Sequence, residues 1–312
     1  MKVLVSDSLS EVGIKIFQET PGIEVDVNTG LSPEELKEVI GQYDGLAIRS
    51  ATKVTADIIE AADNLKVIGR AGIGLDNVDI PAASRRGIVV MNTPEGNTIT
   101  TAEHAIALML ALSRNIPQAT ALLKEGKWEK KKLEGRELYN KTLGLIGLGH
   151  IGRIVADRAK GMKMHVIVYD PYIKPDAIEK LDLEPVSFEE LLKRADYVTI
   201  HAPKTPETNN MFNKETFGKM KKGAMIINCA RGGIVNEDDT YEALSSGHLG
   251  GAAFDVFTRE PPGDIKLLSL PAFICTPHLG ASTAEAQENV AKDAAEQIVA
   301  YLLHGSVKNA VN

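Results

Sequence analysis

A glycine motif at residues 147–152 constrains the fold of this chain more than any other feature. It lies between two apolar runs, Thr142–Ile146 and His165–Tyr169, and it opens a segment of helical pattern, Ile151–Arg158. The glycines are Gly147, Gly149 and Gly152. Glycine is common here, with 27 in 312 residues, so the motif alone is a weak signal and its strand-to-helix context carries the argument. The arrangement predicts a dinucleotide-binding βαβ unit.

Each residue of this motif has a chemical reason to be there. Gly147 permits a tight turn, Gly149 lets the backbone approach a pyrophosphate, and Gly152 lets the helix pack closely on the strand. The helix N-terminus then offers N–H groups to the diphosphate. Asp170 follows the second run and can accept hydrogen bonds from the ribose hydroxyls. No arginine lies among residues 171–173 to neutralise a 2′-phosphate, which favours NAD over NADP.

Short β-branched runs alternate with amphipathic helices along the whole chain, and this rhythm restarts after Leu138. The pattern predicts an α/β protein with two doubly wound, parallel-sheet lobes. One long helical stretch is expected from Thr101 to about Glu125, and another from Ser282 to Leu303, crossing back to the first lobe. We therefore expect a discontinuous substrate-binding lobe at 1–98 plus 285–312 and an NAD-binding Rossmann domain at 99–284.

Composition excludes several classes of protein. Hydrophobic residues make up 44% and charged residues 25%, which is ordinary for a globular chain. The balance is acidic, with net charge −7, so a nucleic-acid partner is not expected. No apolar run approaches the roughly 20 residues that cross a bilayer, and Met1–Asp7 is interpreted as an edge strand rather than a signal peptide. Two cysteines do not form a disulfide framework, which favours a cytoplasmic location and no metal.

Three polar residues follow successive strands of the second lobe. Arg231 comes after Met225–Asn228, Glu260 after the next run, and His278 after Phe273–Cys275. Open α/β sheets bind ligands at the carboxyl ends of their strands. Arg231 suits a carboxylate, His278 can move a proton near neutral pH, and Glu260 can hold the imidazole in one tautomer and raise its basicity. The three are the predicted catalytic residues.

The same segments resemble the D-isomer-specific 2-hydroxyacid dehydrogenases. The likeness extends over essentially the whole chain. Beside the glycine motif, the motifs that carry it are Asn228–Gly233, Phe254–Phe257 with Glu260-Pro261, Thr276–Thr283, Arg49–Thr55 and Gly69–Asp79. Longer relatives continue past the Gly305–Asn312 segment, so the chain resembles a short form or a truncated catalytic part. Serine feedback through a module beyond this segment is not expected in these residues.

The resemblance implies roles for further residues. Asp255 would bond the nicotinamide carboxamide, and other cofactor contacts would come from His150, Ile151, Ala202, Cys229 and Ala230. Backbone N–H groups of Ile73 and Gly74 would help Arg231 hold the substrate carboxylate. Arg49 and Arg70 would meet a distal phosphate, and Lys130 in its lysine run would lean towards the partner's site in a homodimer. His104 and His165 show no partner in the sequence.

The activity implied is NAD-dependent oxidation of D-3-phosphoglycerate to 3-phosphohydroxypyruvate, the first step of L-serine biosynthesis. An alternative within the family is reduction of glyoxylate or hydroxypyruvate. A different class, a nicotinamide-sensing binding protein, also stays open, although the intact Arg231, Glu260 and His278 argue against pure sensing. The expected partners are a small-molecule substrate, NAD and further copies of this chain, in a homodimer or a higher homo-oligomer.

Overall fold

The computed structural model describes all 312 residues, which divide into two compact units. Unit 1 comprises Met1–Thr98 and Ala281–Asn312, and unit 2 comprises Ile99–Gly280. Both contain parallel sheets with helices, so the predicted fold class is confirmed. No single helix is long and apolar enough to cross a membrane; only a bent pair, Thr98–Ser113 with Ile116–Lys124, meets that test by length and composition.

Unit 1 is built on a five-stranded parallel sheet of order β2-β1-β3-β4-β5, the flavodoxin-like order. Its strands are β1 (Lys2–Val5), β2 (Glu24–Val27), β3 (Gly45–Ile48), β4 (Val67–Arg70) and β5 (Val89–Asn92). Its helices are α1 (Glu11–Glu19), α2 (Pro33–Val39), α3 (Ala56–Glu60), α4 (Ile80–Arg85) and α12 (Ala284–His304). The prediction that the first strand is an edge strand was wrong, because β1 pairs with β2 on one side and β3 on the other.

Both faces of this sheet are buried, as parallel sheets require. Leu4 packs with the helices of one face, whereas Val3 and Val5 pack with α1 and α12 on the other. Helix α12 approaches β4 so closely that a Cβ at Gly69 would lie 2.5 Å from Ile298. This close packing holds the last helix of the chain against the sheet formed by the first part of the sequence.

Residues after α12 add to the exposed side of β5. Met91 and Ala310 form an antiparallel bridge, and the Val311 amide donates to the Val90 carbonyl at 3.0 Å. The side chain of Asn312 accepts from the Val90 amide at 2.9 Å and donates to the Ile88 carbonyl at 2.9 Å. The tail at residues 309–312 thus covers the β5 edge.

Unit 2 is built on a seven-stranded parallel sheet of order β12-β11-β10-β9-β6-β7-β8. Its strands are β6 (Thr142–Ile146), β7 (His165–Tyr169), β8 (Glu184–Pro185), β9 (Tyr197–Ile200), β10 (Met225–Asn228), β11 (Gly251–Phe254) and β12 (Phe273–Cys275). The helices associated with it are α5 (Thr98–Ser113), α6 (Ile116–Lys124), α7 (His150–Gly161), α8 (Pro175–Glu179), α9 (Phe188–Arg194), α10 (Lys214–Lys219) and α11 (Glu237–Ser245). The order reverses between β6 and β9, which is the switch point where Rossmann folds bind their ligand.

The long helical stretch expected from Thr101 to about Glu125 is helical, but it consists of two helices. Helix α5 ends at Ser113 and α6 begins at Ile116, with a bend of 61° between them. Asn115 takes a left-handed backbone conformation, φ 54°, and Pro117 follows in the first turn of α6. A left-handed residue interrupts the hydrogen-bond ladder, and proline is favoured at the start of a new helix.

Candidate active site

The glycine motif has the geometry that its residues demand. Gly147 has φ +87°, and a Cβ there would lie 2.6 Å from the His201 carbonyl oxygen. A Cβ at Gly152 would lie 2.2 Å from the Gly147 carbonyl oxygen, so helix and turn touch. A Cβ at Gly149 would meet no protein atom within 4 Å. Packing therefore does not explain Gly149, whereas a ligand seated against the turn does.

Asp170 is fixed at the end of β7 by two backbone amides. One carboxylate oxygen accepts from the Leu148 amide at 2.8 Å and the other from the Tyr172 amide at 2.9 Å. Each oxygen keeps a further lone pair for a ribose hydroxyl. A cavity of about 370 Å³ beside it is lined mainly by apolar residues, among them Ile173, Ile178 and Val186. These features fit the adenosine half of a dinucleotide.

The remaining cofactor candidates also lie at the carboxyl ends of strands in unit 2. His150 and Ile151 open α7, Ala202 follows β9, and Cys229 and Ala230 follow β10. Burial raises the pKa of the Cys229 thiol, so it is a packing residue rather than a nucleophile.

His278 and Glu260 form a hydrogen-bonded pair. The Nδ1 of His278 lies 2.7 Å from Oε2 of Glu260, and the other carboxylate oxygen accepts from the Phe257 amide at 3.1 Å. A carboxylate accepts but does not donate, so this contact places the imidazole hydrogen on Nδ1 and leaves Nε2 to exchange a proton with a ligand. Both side chains are partly exposed, 51% for His278 and 38% for Glu260, so the pair is open to a ligand.

The backbone of His278 is also held in place. Its φ is 56°, in the left-handed region that non-glycine residues seldom adopt, and its amide donates to the Asp255 carbonyl at 2.9 Å. Such conformations persist where the surroundings enforce them and are common at functional sites. The loop from Thr276 to Gly280 therefore presents the imidazole in a fixed direction.

Asp255 anchors that loop with its side chain. One carboxylate oxygen accepts from Thr276 Oγ1 at 2.5 Å and the Leu279 amide at 2.7 Å, and the other from the Gly280 amide at 2.8 Å. Burial alone would raise the pKa of Asp255, but hydrogen bonds from His104, Thr276 and the two amides outweigh it and hold the pKa below its usual value. The group is therefore an ionised carboxylate inside the fold.

His104 is a neighbour of Asp255 that the sequence did not reveal. Its Nε2 lies 2.9 Å from Thr276 Oγ1 and 3.3 Å from the Asp255 carboxylate, so the expectation of a histidine without partners was wrong. Helix α5 brings it there from 172 positions away in sequence. No local pattern encodes a contact over that distance.

His201 cannot serve as the proton carrier. Its Nε2 pairs with Thr199 Oγ1 at 2.9 Å, and burial lowers the pKa of His201 to about 4. The imidazole is consequently neutral at pH 7, and it is tied to its own strand.

Arg231 follows β10 and lies half-buried in the turn that ends this strand. Its guanidinium donates to the Ala230 carbonyl at 2.7 Å, and its own carbonyl accepts from the Asn228 side chain at 3.0 Å. The turn therefore fixes the backbone from which the guanidinium projects.

In unit 1, two arginines stand at the same edge of the sheet. Ile48 pairs with Arg70 across β3 and β4, and Arg49 is the next residue. The backbone of Arg49 is held by Asp7, whose carboxylate accepts its amide at 2.5 Å, and by Asn77, which donates to its carbonyl at 2.7 Å. Its guanidinium donates to the Ser8 carbonyl at 3.1 Å and forms no ion pair with an acid.

Ile73 and Gly74 lie in the loop after β4, and both are partly exposed. The side chain of Arg70 folds over this loop, since a Cβ at Gly72 would lie only 1.7 Å from its Nη1. In unit 2, Lys130 is exposed in a 3₁₀-helix, Lys130–Lys132.

A sequence model of a protein family matches residues 106–280, which is more than half of the chain. The family is described as D-isomer specific 2-hydroxyacid dehydrogenase, NAD binding domain. This chain therefore belongs to the D-isomer specific 2-hydroxyacid dehydrogenase family, and the resemblance drawn from its motifs is confirmed. NAD is the cofactor of this family's binding domain, and the residues described above fit it.

A curated relative, D-3-phosphoglycerate dehydrogenase of Synechocystis sp., is 52% identical over 311 residues, covering 100% of this chain and 56% of the relative. The structure of 3-phosphoglycerate dehydrogenase of Entamoeba histolytica with NAD⁺ bound superposes with a TM-score of 0.85, at 32% identity and 98% coverage of that chain. A glyoxylate reductase from Paecilomyes thermophila superposes with a TM-score of 0.91 at 27% identity and 98% coverage. The chain spans a little more than half the length of the curated relatives it matches, 56–59%.

Proposed function

We propose that this chain oxidises D-3-phosphoglycerate to 3-phosphohydroxypyruvate with NAD, the first step of L-serine biosynthesis. The observation that carries the substrate is the pair Arg49 and Arg70 at one sheet edge, because a phosphate dianion needs more than one cation. The curated relatives named D-3-phosphoglycerate dehydrogenase, at 46–52% identity, support the same choice.

Each residue of the site has a distinct chemical role. Arg231 holds the substrate carboxylate in a bidentate fork, helped by the amides of Ile73 and Gly74. His278 takes the C2 hydroxyl proton on Nε2, while Glu260 stabilises the imidazolium that forms. When bound, NAD supplies the acceptor for the hydride that leaves C2. Asp255 supports the nicotinamide end through the Thr276–Gly280 loop, because its carboxylate is buried and bonded to that loop rather than open to a carboxamide.

Phosphate binding falls to Arg49 and Arg70, and Lys130 of one protomer would be a third cation at the partner's site in the homodimer. Lys130 is exposed and forms no ion pair, whereas its neighbour Lys132 is paired with Glu129 at 3.0 Å. Unit 1 would accordingly be the substrate-binding lobe and unit 2 the NAD-binding domain. The two cysteines form no disulfide, which is in keeping with a cytoplasmic protein.

The test is a substrate panel. NADH formation is followed with D-3-phosphoglycerate, D-lactate and D-glycerate, and NADH consumption with glyoxylate and hydroxypyruvate. We expect the highest kcat/KM with D-3-phosphoglycerate. A preference for glyoxylate or hydroxypyruvate would make the chain a reductase of the same family, and no turnover with any of these acids would favour a nicotinamide-sensing protein.

We propose that the chain forms a homodimer or a higher homo-oligomer through α5, α6 and the loop that follows. Large apolar side chains are exposed along this stretch, among them Leu123 at 59% and Trp128 at 82%. A mainly apolar cavity of about 540 Å³ lies between α5, α6 and β12. Exposed apolar side chains on adjacent helices, beside an apolar cavity, favour this stretch as the interaction site. Sedimentation velocity should give twice the mass of the chain or a higher multiple, and a single-chain mass at micromolar concentration would contradict the proposal.

Replacing Glu260 with Gln should lower kcat on the order of 10²-fold, because the imidazolium loses its carboxylate partner. In the reduction direction, which needs the proton on the imidazole, the fall in rate at high pH should move to lower pH. The control is Glu179→Gln, an exposed glutamate at the end of α8. A pH profile identical to that of the unmodified chain would mean that Glu260 does not act on His278.

A further inference from the structure

The loop after β4 contains two neighbouring amides without a protein acceptor. Neither the Ile73 nor the Gly74 N–H donates to any group of the chain, and both residues are partly exposed. Adjacent free N–H groups form a concave site for an anionic oxygen. Their direction depends on how the peptide units on either side are held.

Two residues at the end of β5 hold those peptide units. Thr93 Oγ1 accepts from the Gly72 amide at 2.7 Å, and the Thr93 amide donates to the Gly72 carbonyl at 3.1 Å. Asn92 adds a third hydrogen bond, from Nδ2 to the Ile73 carbonyl at 2.8 Å. The carbonyls of Gly72 and Ile73 thus point towards β5, which leaves the N–H groups of Ile73 and Gly74 for a ligand.

The hydrogen bond between Thr93 and the Gly72 amide is buried, where water cannot replace it. Thr93 is 1% exposed, so removing its hydroxyl leaves the Gly72 N–H buried without an acceptor. Gly72 has φ +135°, a conformation that only glycine adopts readily, and the Arg70 guanidinium occupies the space of a side chain there. Three residues therefore fix the loop conformation. Gly72 does so through its own backbone angles, and Thr93 and Asn92 do so through hydrogen bonds to the loop.

The end of β5, where Asn92 and Thr93 lie, is itself held by backbone hydrogen bonds. The backbone N–H of Asn92 donates to the Asn309 carbonyl at 3.3 Å. On its other side, β5 pairs with β4 throughout, with Gly69 opposite Met91 and Arg70 opposite Asn92. Backbone pairing on both sides leaves the end of β5 little freedom to shift. A displacement of the loop then requires breaking the hydrogen bonds of Thr93 or Asn92.

We propose that Thr93 and Asn92 are positioning residues that aim the Ile73 and Gly74 amides at the carboxylate of the substrate. The inference rests on the proposed function in one respect, that a 2-hydroxy acid places its carboxylate at these amides. Neither residue touches the reacting atoms, so their loss should weaken acid binding and leave the nucleotide site intact.

The decisive variant is Thr93→Val, which keeps the shape and removes the acceptor. We expect KM for D-3-phosphoglycerate to rise about tenfold, the effect of one lost hydrogen bond, while the Kd of NADH, measured by fluorescence, stays within twofold. Thr93→Ser keeps the hydroxyl and should restore KM. Asn92→Asp, which removes the donor to Ile73, should raise KM in the same way and serves where Thr93→Val does not fold.

The matched control is Asn64→Ala, which removes a side-chain bond of the same kind in unit 1, from Nδ2 to the Gly41 carbonyl at 2.7 Å. It should leave KM unchanged. Equal changes in KM and in the Kd of NADH, or no difference between Thr93→Val and Thr93→Ser, would overturn the proposal.

A second measurement separates this inference from the choice of substrate. Oxalate binding to the enzyme–NADH complex is titrated by NADH fluorescence for the unmodified chain and each variant. Weaker oxalate binding in Thr93→Val, restored in Thr93→Ser, supports the positioning role even where D-3-phosphoglycerate is not turned over. Unchanged oxalate affinity in Thr93→Val contradicts it even where D-3-phosphoglycerate is the substrate.

Discussion

Replacing His278 with Ala should lower turnover of the 2-hydroxy acid by about 10²–10⁴-fold, the usual contribution of a positioned acid or base. NADH should bind the variant as tightly as the unmodified chain, because the imidazole exchanges a proton and is paired with Glu260 rather than with the glycine motif. Steady-state kcat and NADH fluorescence titration measure the two quantities separately.

The control for that experiment is His165→Ala, an exposed histidine at the start of β7. It should retain normal turnover. Near-normal turnover in His278→Ala would mean that another group carries the proton, and His201 would not be the replacement because burial lowers the pKa of His201 to about 4.

Replacing Arg49 with Ala should raise KM for D-3-phosphoglycerate roughly 10- to 150-fold, which corresponds to about 1.5–3 kcal/mol for hydrogen bonds to a charged group. The effect on kcat should be smaller, because the phosphate is remote from C2. The backbone at this position is fixed by Asp7 and Asn77, so truncating the side chain should not move the strand end. KM for hydroxypyruvate, which has no phosphate, should hardly change.

Arg85→Ala provides the matched control, since this arginine is exposed in the last turn of α4 and forms no ion pair. Equal losses on the phosphorylated and unphosphorylated acids would show that Arg49 supports the lobe rather than the substrate. Reduction of glyoxylate or hydroxypyruvate would then become the better assignment.

Sequence reasoning was sufficient where the chemistry is local. Gly147 and Gly152 are required by a turn and by a contact within five residues of each other, so their spacing carries the information. The strand ends could be found for the same reason, because an apolar run that stops at a polar residue marks the edge of a buried sheet. The strand ends also identify His278 and Glu260 as candidates, although nothing in the sequence shows that the two side chains are in contact.

Sequence reasoning was insufficient where a contact joins distant segments. His104 reaches Thr276, and Asn312 reaches Val90 across 222 positions, and neither pair leaves a periodic trace. The position of β1 inside its sheet has the same origin, because the order of strands depends on crossovers and not on the composition of any one strand. The break at Asn115 was missed for another reason, since one left-handed residue does not disturb the apolar pattern on either side of it.

The tail at residues 309–312 has a consequence for the behaviour of the chain at high concentration. An unpaired outer strand is a template onto which another molecule can add, and proteins suppress this by covering or charging such strands. On one side of the first sheet, the tail occupies the backbone groups of β5 with a segment of only four residues. On the other side, β2 carries Glu24 and Asp26, the latter bridged to Lys2 at 2.8 Å. Both sides of this sheet are thereby protected against strand-to-strand aggregation, one by coverage and the other by charge.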